Sequence, residues 1–338
     1  MTRAATWALS AGVLLFIGVL ASQGLPAIVA TLALAGWGLL LVALFHLLPL
    51  ALDAVAIRVL FDAGTDASAG GAARGSMRDA LLARWAGESA NSLMPAGQLG
   101  GPVLMTRHLA QRGMRMQDAA AAITVSTTLQ TFAQIAFALL GVALLGAQAG
   151  HISQNALRAP SLIASGLLAL QVGGFYWLQR RGLFSKLMRA VTRFAGKRDW
   201  TQWMSQAEAI DLAVQVTYSR SGPVAASFLL SSVGWLVGTG EVYLILQLLH
   251  HPVGWIDALL LESLGQAIRG AAFAIPGALG VQEGGYLLLG ALVGLHAETG
   301  LALSLAKRAR ELLLGLPGLL YLHWAERGGA RAVRPAPR

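Results

Sequence analysis

Apolar runs long enough to cross a bilayer recur along this chain, separated by short polar stretches in which arginine and lysine gather. The pattern predicts membrane helices over Ala5–Leu20, Ile28–Leu50, Ala119–Gly146, Ser161–Trp177, Val224–Leu249 and Leu301–Trp324. Two further apolar segments are interrupted. Leu81–Leu109 is broken around Pro95, Gly97, Gly100 and Gly101, and Ile256–Leu295 around Pro276, Gly277 and Gly280. The arms of the first hold roughly 12 to 14 residues each, about 20 Å of helix against a hydrocarbon core of ~30 Å. A re-entrant hairpin is therefore expected over 81–109. For 256–295 both a re-entrant and a fully spanning form stay open. Residues 62–78 read as a polar loop, 179–218 as one or two amphipathic helices in the cytoplasmic interface, and 327–338 as a basic, disordered tail.

The basic residues set an orientation. Arg58, Arg74 and Arg78, then Arg107, Arg112 and Arg115, then the run from Arg180 to Arg198, and finally Arg327 to Arg338 all fall on one side. Only Arg158 falls in the short loops of the other. Both termini are thus expected in the cytoplasm. Three crossings separate the broken segments, so they enter from opposite faces. This predicts an inverted repeat, with halves 1–148 and 222–325 inside one transmembrane domain covering 1–338. The run after Met1-Thr2-Arg3 is read as a first membrane helix and not as a cleaved signal peptide.

Composition narrows the function. Charged residues make up 12% of the chain, about half of what a soluble domain carries, so the fold class is an all-α, polytopic membrane protein. With no cysteine, disulfides, thiol catalysis and cysteine metal sites are excluded, and the histidines, read as interfacial, show no metal spacing. No cofactor is indicated. The net charge of +9 fits arginine-rich loops against anionic lipid at the cytoplasmic face. Nucleic acid is not an expected partner, because the basic residues are scattered and not interleaved with stacking aromatics.

The charges inside the apolar segments carry the functional expectation. Arg84, Glu88 and Asn91 share one helical face at spacings of four and three, and Glu262, Gln266 and Arg269 repeat that spacing. Counted back from each proline, Glu88 and Arg269 occupy equivalent positions. They either pair across the centre or bind opposite charges of a zwitterionic headgroup, whereas local Arg84–Glu88 and Glu262–Arg269 pairs would merely hold the hairpins together. Ionisable groups at membrane depth favour a cavity or a partner. Amides after the breaks, near Gln98–Gly101 and Val281–Glu283, with Gln282, suit a phosphate or carboxylate, or else serve tight glycine packing. A polar stripe of Thr124, Thr127, Thr131 and Gln134, with Gln130 beside it, either lines a path or bonds to neighbouring helices. Glu241 is too deep to face lipid. Lys307, Arg308, Arg310 and Glu311 either snorkel to the outer interface or meet an anionic headgroup. Arg107 joins the candidate binding residues beside the first hairpin.

The stretches Arg84-Trp-Ala-Gly-Glu-Ser-Ala-Asn-Ser-Leu-Met-Pro, Gly100-Gly101 through Arg107, Glu262 through Gly285, and Leu305-Ala-Lys-Arg-Ala-Arg-Glu-Leu-Leu-Leu-Gly-Leu-Pro-Gly resemble the flippase-like membrane family related to the transmembrane domain of lysylphosphatidylglycerol synthase. Within it the chain most resembles the hopanoid-biosynthesis-associated branch. The resemblance implies a bacterial inner-membrane protein that moves a lipid or lipid-linked precursor between leaflets. Many relatives carry an acid just after the first glycine pair, where this chain has Pro102-Val103. The short tail leaves no room for an aminoacyl-transferring domain. The expected function is lipid flipping or scrambling through a midplane polar cavity, with a phospholipid, hopanoid or amino-modified lipid as substrate. A non-transporting partner of a lipid-modifying enzyme is the alternative. A third possibility, an intramembrane enzyme using Glu88 or Glu262 as base, ranks below both.

Overall fold

The computed structural model describes residues 33, 35–61, 75–94, 100–148, 170, 173–194, 201–272, 275 and 278–332. The expected helix at Ala5–Leu20, most of that at Ser161–Trp177, and Pro95, Gly97, Gln98, Pro276 and Gly277 lie outside them. Among the described residues there are helices and no strand. In chain order they are α1 (Gly38–Phe61), α2 (Met77–Leu93), α3 (Gly100–Gln111), α4 (Met116–Gln148), α5 (Leu183–Phe194), α6 (Thr201–Ser219), α7 (Ser221–Leu248), α8 (Trp255–Ala271), α9 (Val281–Leu292) and α10 (Ala297–Ala332). Residues 173–180 add a helical stretch before α5.

α1, α4 and α7 are long and apolar enough to cross a membrane. The broken segments form short pairs, and the pairs match: α2 and α8 have 17 residues each, α3 and α9 have 12. At 1.5 Å per residue these reach about 25 and 18 Å, less than the ~30 Å core. A long helix precedes and follows each pair. The neighbours repeat as well: α1 packs on α7, α2 on α10 as α8 does on α4, and α4 on α7 as α10 does on α1. Exchanging α1–α4 for α7–α10 leaves this set of pairings unchanged.

Boundaries differ from the sequence expectation in three places. α1 continues past Leu50 to Phe61, because its one acid, Asp53, is neutralised inside the protein by Arg84 at 2.7 Å. α2 begins at Met77, where Ser76 closes a capping box with Asp79 (Ser76 Oγ accepts from the Asp79 amide at 3.1 Å). Ser76→Ala should cost about 1 kcal/mol, read as a lower Tm in detergent. α10 runs on to Ala332, through the start of the tail expected to be disordered. The 179–218 region contains the two helices α5 and α6, tied by Asp211, whose carboxylate accepts from the amides of Phe184 (3.0 Å) and Ser185 (2.8 Å).

Small residues let the two halves approach. A Cβ added at Gly141 of α4 would lie 2.0 Å from Ser263 Oγ of α8, and one at Gly318 of α10 would lie 2.1 Å from Ser89 Oγ of α2. The serine Cβ atoms stand only 2.9 and 3.0 Å away, so rotating the hydroxyls does not relieve the clash. Gly318→Ala should therefore destabilise by about 1–3 kcal/mol through overpacking. Gly146→Ala, with open space at its Cβ, should be neutral or slightly stabilising, by up to ~1 kcal/mol. Thermal unfolding of the two variants side by side checks the contrast.

Candidate functional site

Ionic side chains are buried among the apolar core clusters, while many leucines face outward. Leu44, Leu229 and Leu288 are 60–68% exposed, whereas Glu283 is 0%, Lys307 1% and Glu241 2% exposed. Exposed leucines around a charged interior are what a hydrocarbon surrounding requires, since lipid tails solvate leucine and reject ions. α1, α2, α7, α8, α9 and α10 all contribute to this interior.

Its first part joins α1, α2, α7, α8 and α10. Arg84 Nη2 donates to Asp53 Oδ2 (2.7 Å) and lies 3.3 Å from Glu88 Oε2. Gln130 from α4 also donates to Asp53, at 2.6 Å. His46 stands between Glu88 and Glu241, at 2.7 and 2.6 Å. Arg310 donates to Glu241 Oε1 from Nε (3.2 Å) and Nη2 (3.1 Å), and its Nη1 lies 3.6 Å from Glu88. Lys307 Nζ reaches Glu262 at 2.7 Å and Glu241 at 3.4 Å. Glu262 also accepts from Gln266 (2.8 Å) and Tyr286 (3.3 Å).

The second part joins α8, α9 and α10. Arg269 donates to Glu311 and to Gln282. Arg308 donates to Glu283 and to Glu311, both at 3.0 Å. Glu283 in turn accepts from the Gly280 amide at 2.6 Å. Gly280 has φ +78°, a left-handed conformation that favours glycine.

Most of the residues singled out in the sequence therefore meet. Arg84, Glu88, Glu241, Glu262, Gln266, Arg269, Gln282, Glu283, Lys307, Arg308 and Glu311 lie in these two adjoining sets. Four readings are corrected. Glu88 and Arg269 do not pair with each other: Glu88 is held by His46, Arg84 and Arg310, and Arg269 by Glu311 and Gln282. Glu262 pairs with Lys307 and not with Arg269. Lys307 does not snorkel outward, because two carboxylates hold it in the interior. Of the amides after the first break, that of Gly101 is not open to an anion, since Asn91 Oδ1 accepts from it (2.8 Å); before α9, Glu283 accepts from the Gly280 amide. Arg107 lies on the exposed face of α3. In the polar stripe of α4, Thr131 donates back to the Thr127 carbonyl, whereas Gln130 and Gln134 bond to neighbouring helices, to Asp53 of α1 and to the Gln266 carbonyl of α8.

The sequence reading missed three members. His46, expected in the interface, is in the centre, and Asp53 and Arg310 were not among the candidate binding residues. A signal existed for two of them: His46 and Asp53 stand seven residues apart, on one face of an otherwise apolar helix.

A narrow cleft leads to the cluster between α1, α2 and α10. Glu88, Arg310 and Glu311 form its ionic end, and Leu50, Trp85 and Leu314 supply apolar walls. Trp85 pins α2 to α10 by donating to the Leu314 carbonyl at 2.9 Å and stacking on Tyr321. Two buried donors, Arg84 Nε and Arg308 Nη2, have no hydrogen-bond partner among the described residues.

A family model described as the lysylphosphatidylglycerol synthase TM region matches residues 4–318. No curated protein and no solved structure matches the chain.

Proposed function

We propose that this chain, a multi-pass membrane protein belonging to the lysylphosphatidylglycerol synthase transmembrane family, moves a lipid between the leaflets of the bacterial inner membrane. The observation that carries this reading is the cleft between α1, α2 and α10, ionic at Glu88, Arg310 and Glu311 and apolar at Leu50, Trp85 and Leu314. As it stands the cleft has room for about one water, ≈ 10 Å³, so in this reading it widens to take an amphiphile, with the headgroup against the charges and a chain along the apolar wall. The unpartnered donors of Arg84 and Arg308 suit the phosphate oxygens of a headgroup. Matching short helix pairs of 17 and 12 residues support two inverted halves that rock about the ionic centre, opening it to each face in turn. In this reading both termini are cytoplasmic, and the amphipathic α5, with Lys186, Arg189 and Arg193, lies against anionic lipid on that side.

The substrate is a phospholipid, or a hopanoid or amino-modified lipid as the resemblance of the sequence suggests. The protein takes no part in covalent chemistry in this account. The test is leaflet exchange of headgroup-labelled phospholipid in vesicles carrying the purified protein. Exchange that depends on the protein is expected. Its absence for phospholipid, hopanoid and aminoacyl lipid alike would favour the second reading, a membrane partner for a lipid-modifying enzyme.

A further inference from the structure

The charges of the interior do not balance evenly. Arg269 and Arg308 answer Glu283 and Glu311, so that set is neutral. In the other set, Asp53, Glu88, Glu241 and Glu262 face, among the described residues, three permanent cations, Arg84, Lys307 and Arg310. One negative charge is left over unless another proton is present, and an unanswered charge in this setting is strongly unfavourable.

His46 stands where that proton is needed. Its Nδ1 lies 2.6 Å from Glu241 Oε2 and its Nε2 2.7 Å from Glu88 Oε1. A carboxylate oxygen only accepts, and a neutral imidazole carries one N–H. Two such short contacts, one at each ring nitrogen, require a hydrogen in each. Either the ring is an imidazolium, or one of the two acids is protonated. Arg310 Nη1, 3.4 Å from Nε2, does not remove the requirement. With Nε2 bare, the ring would face the Glu88 oxygen lone pair to lone pair. Among the described residues, Asp53 of α1 also acts on the ring, and Arg84 of α2 and Lys307 of α10 reach the carboxylates that hold it. They are already counted in the balance.

We infer that His46, Glu88 and Glu241 form a proton-binding site, and that its proton leaves and returns through Glu88 as a lipid headgroup passes. Glu88 is the exit because its side chain is 22% exposed and lines the cleft, against 2% for Glu241. The proton passes from Nε2 to Glu88 Oε1 and on to water at the cleft mouth. The neutral ring keeps its Nδ1–H on Glu241, and the Glu88 carboxylate becomes free to accept a donor of the headgroup. The coupling rests on the lipid-moving reading above, whereas the proton site itself does not.

Two measurements separate them. Solid-state NMR of nitrogen-labelled histidine in membranes near neutral pH, with His46→Gln to assign the signal, should show both ring nitrogens protonated. A carboxylic-acid infrared band lost in Glu88→Gln or Glu241→Gln would equally support the site. A neutral ring with no such band overturns it. In vesicles of phosphatidylethanolamine and phosphatidylglycerol, exchange of labelled lipid should follow an imposed pH gradient, and His46→Gln should lose that response. Glu88→Gln, which leaves three carboxylates against three cations, is the second variant should His46→Gln not fold. Exchange that ignores the gradient overturns the coupling and leaves lipid movement standing. No exchange of phospholipid, hopanoid or aminoacyl lipid, with the proton signal present, overturns the coupling together with the lipid reading and leaves the proton site standing.

Discussion

Lys307→Met should destabilise the folded protein by about 3–5 kcal/mol, the typical penalty for removing one partner of a buried ion pair. Methionine is close to lysine in length and fills the same space, so the loss is electrostatic. Lys307 is 1% exposed, and its ammonium lies 2.7 Å from Glu262 and 3.4 Å from Glu241. Glu241 keeps Arg310 and His46 in the variant. Glu262 keeps only the neutral donors of Gln266 and Tyr286, and it becomes an unanswered charge in the interior. Thermal unfolding in detergent, followed by loss of the monodisperse fraction, reads the effect. Adding Glu262→Gln should recover most of the lost stability, because an amide in that place can still meet Gln266 and Tyr286. If the double variant is no better than the single one, the cause is packing and not charge.

Glu88→Gln should do the reverse, keeping the fold and slowing transport. Glu88 belongs to the set with one carboxylate in excess, so neutralising it removes a charge that only a proton balanced. It is also the most exposed acid of that set, with 22% of its side chain accessible, so its removal strands no other group. Arg84 keeps Asp53, and Arg310 keeps Glu241. In the lipid-moving account this carboxylate is the first charge a headgroup meets. Hydrogen bonds to charged groups contribute about 1.5–3 kcal/mol, so losing one from the path should slow exchange roughly ten- to a hundredfold. Unfolding of the same preparation should stay near that of the parent protein.

Much of this architecture was legible along the chain. Proline and glycine marked both interruptions, and the arms on either side are helices of 17 and 12 residues. The i, i+4, i+7 spacing put Glu88 and Glu262 on inward faces, since a helix turns those positions to one side. Partner identity was not legible, because it depends on which helices meet. Glu262 meets Lys307 and not the nearby Arg269, as α10 lays its lysine along α8. Glu241 meets His46, nearly two hundred residues away. His46 itself escaped notice because a single histidine in an apolar run resembles an interfacial residue. Only the convergence of α2 and α7 on α1 gives it two acids. The Gly101 amide was misread for a related reason: Asn91 is local enough to reach it, and short reach favours it over a bound anion.

The central claim is that the ionic cleft opens to both faces of the membrane in turn. Because the chain has no cysteine, a single Ser92→Cys change places one thiol beside Glu88 in the cleft. In vesicles with the protein in one orientation, a membrane-impermeant maleimide applied from either side should label it, and bound lipid should slow both reactions. Labelling from one side only, or from neither in folded protein, would contradict the account.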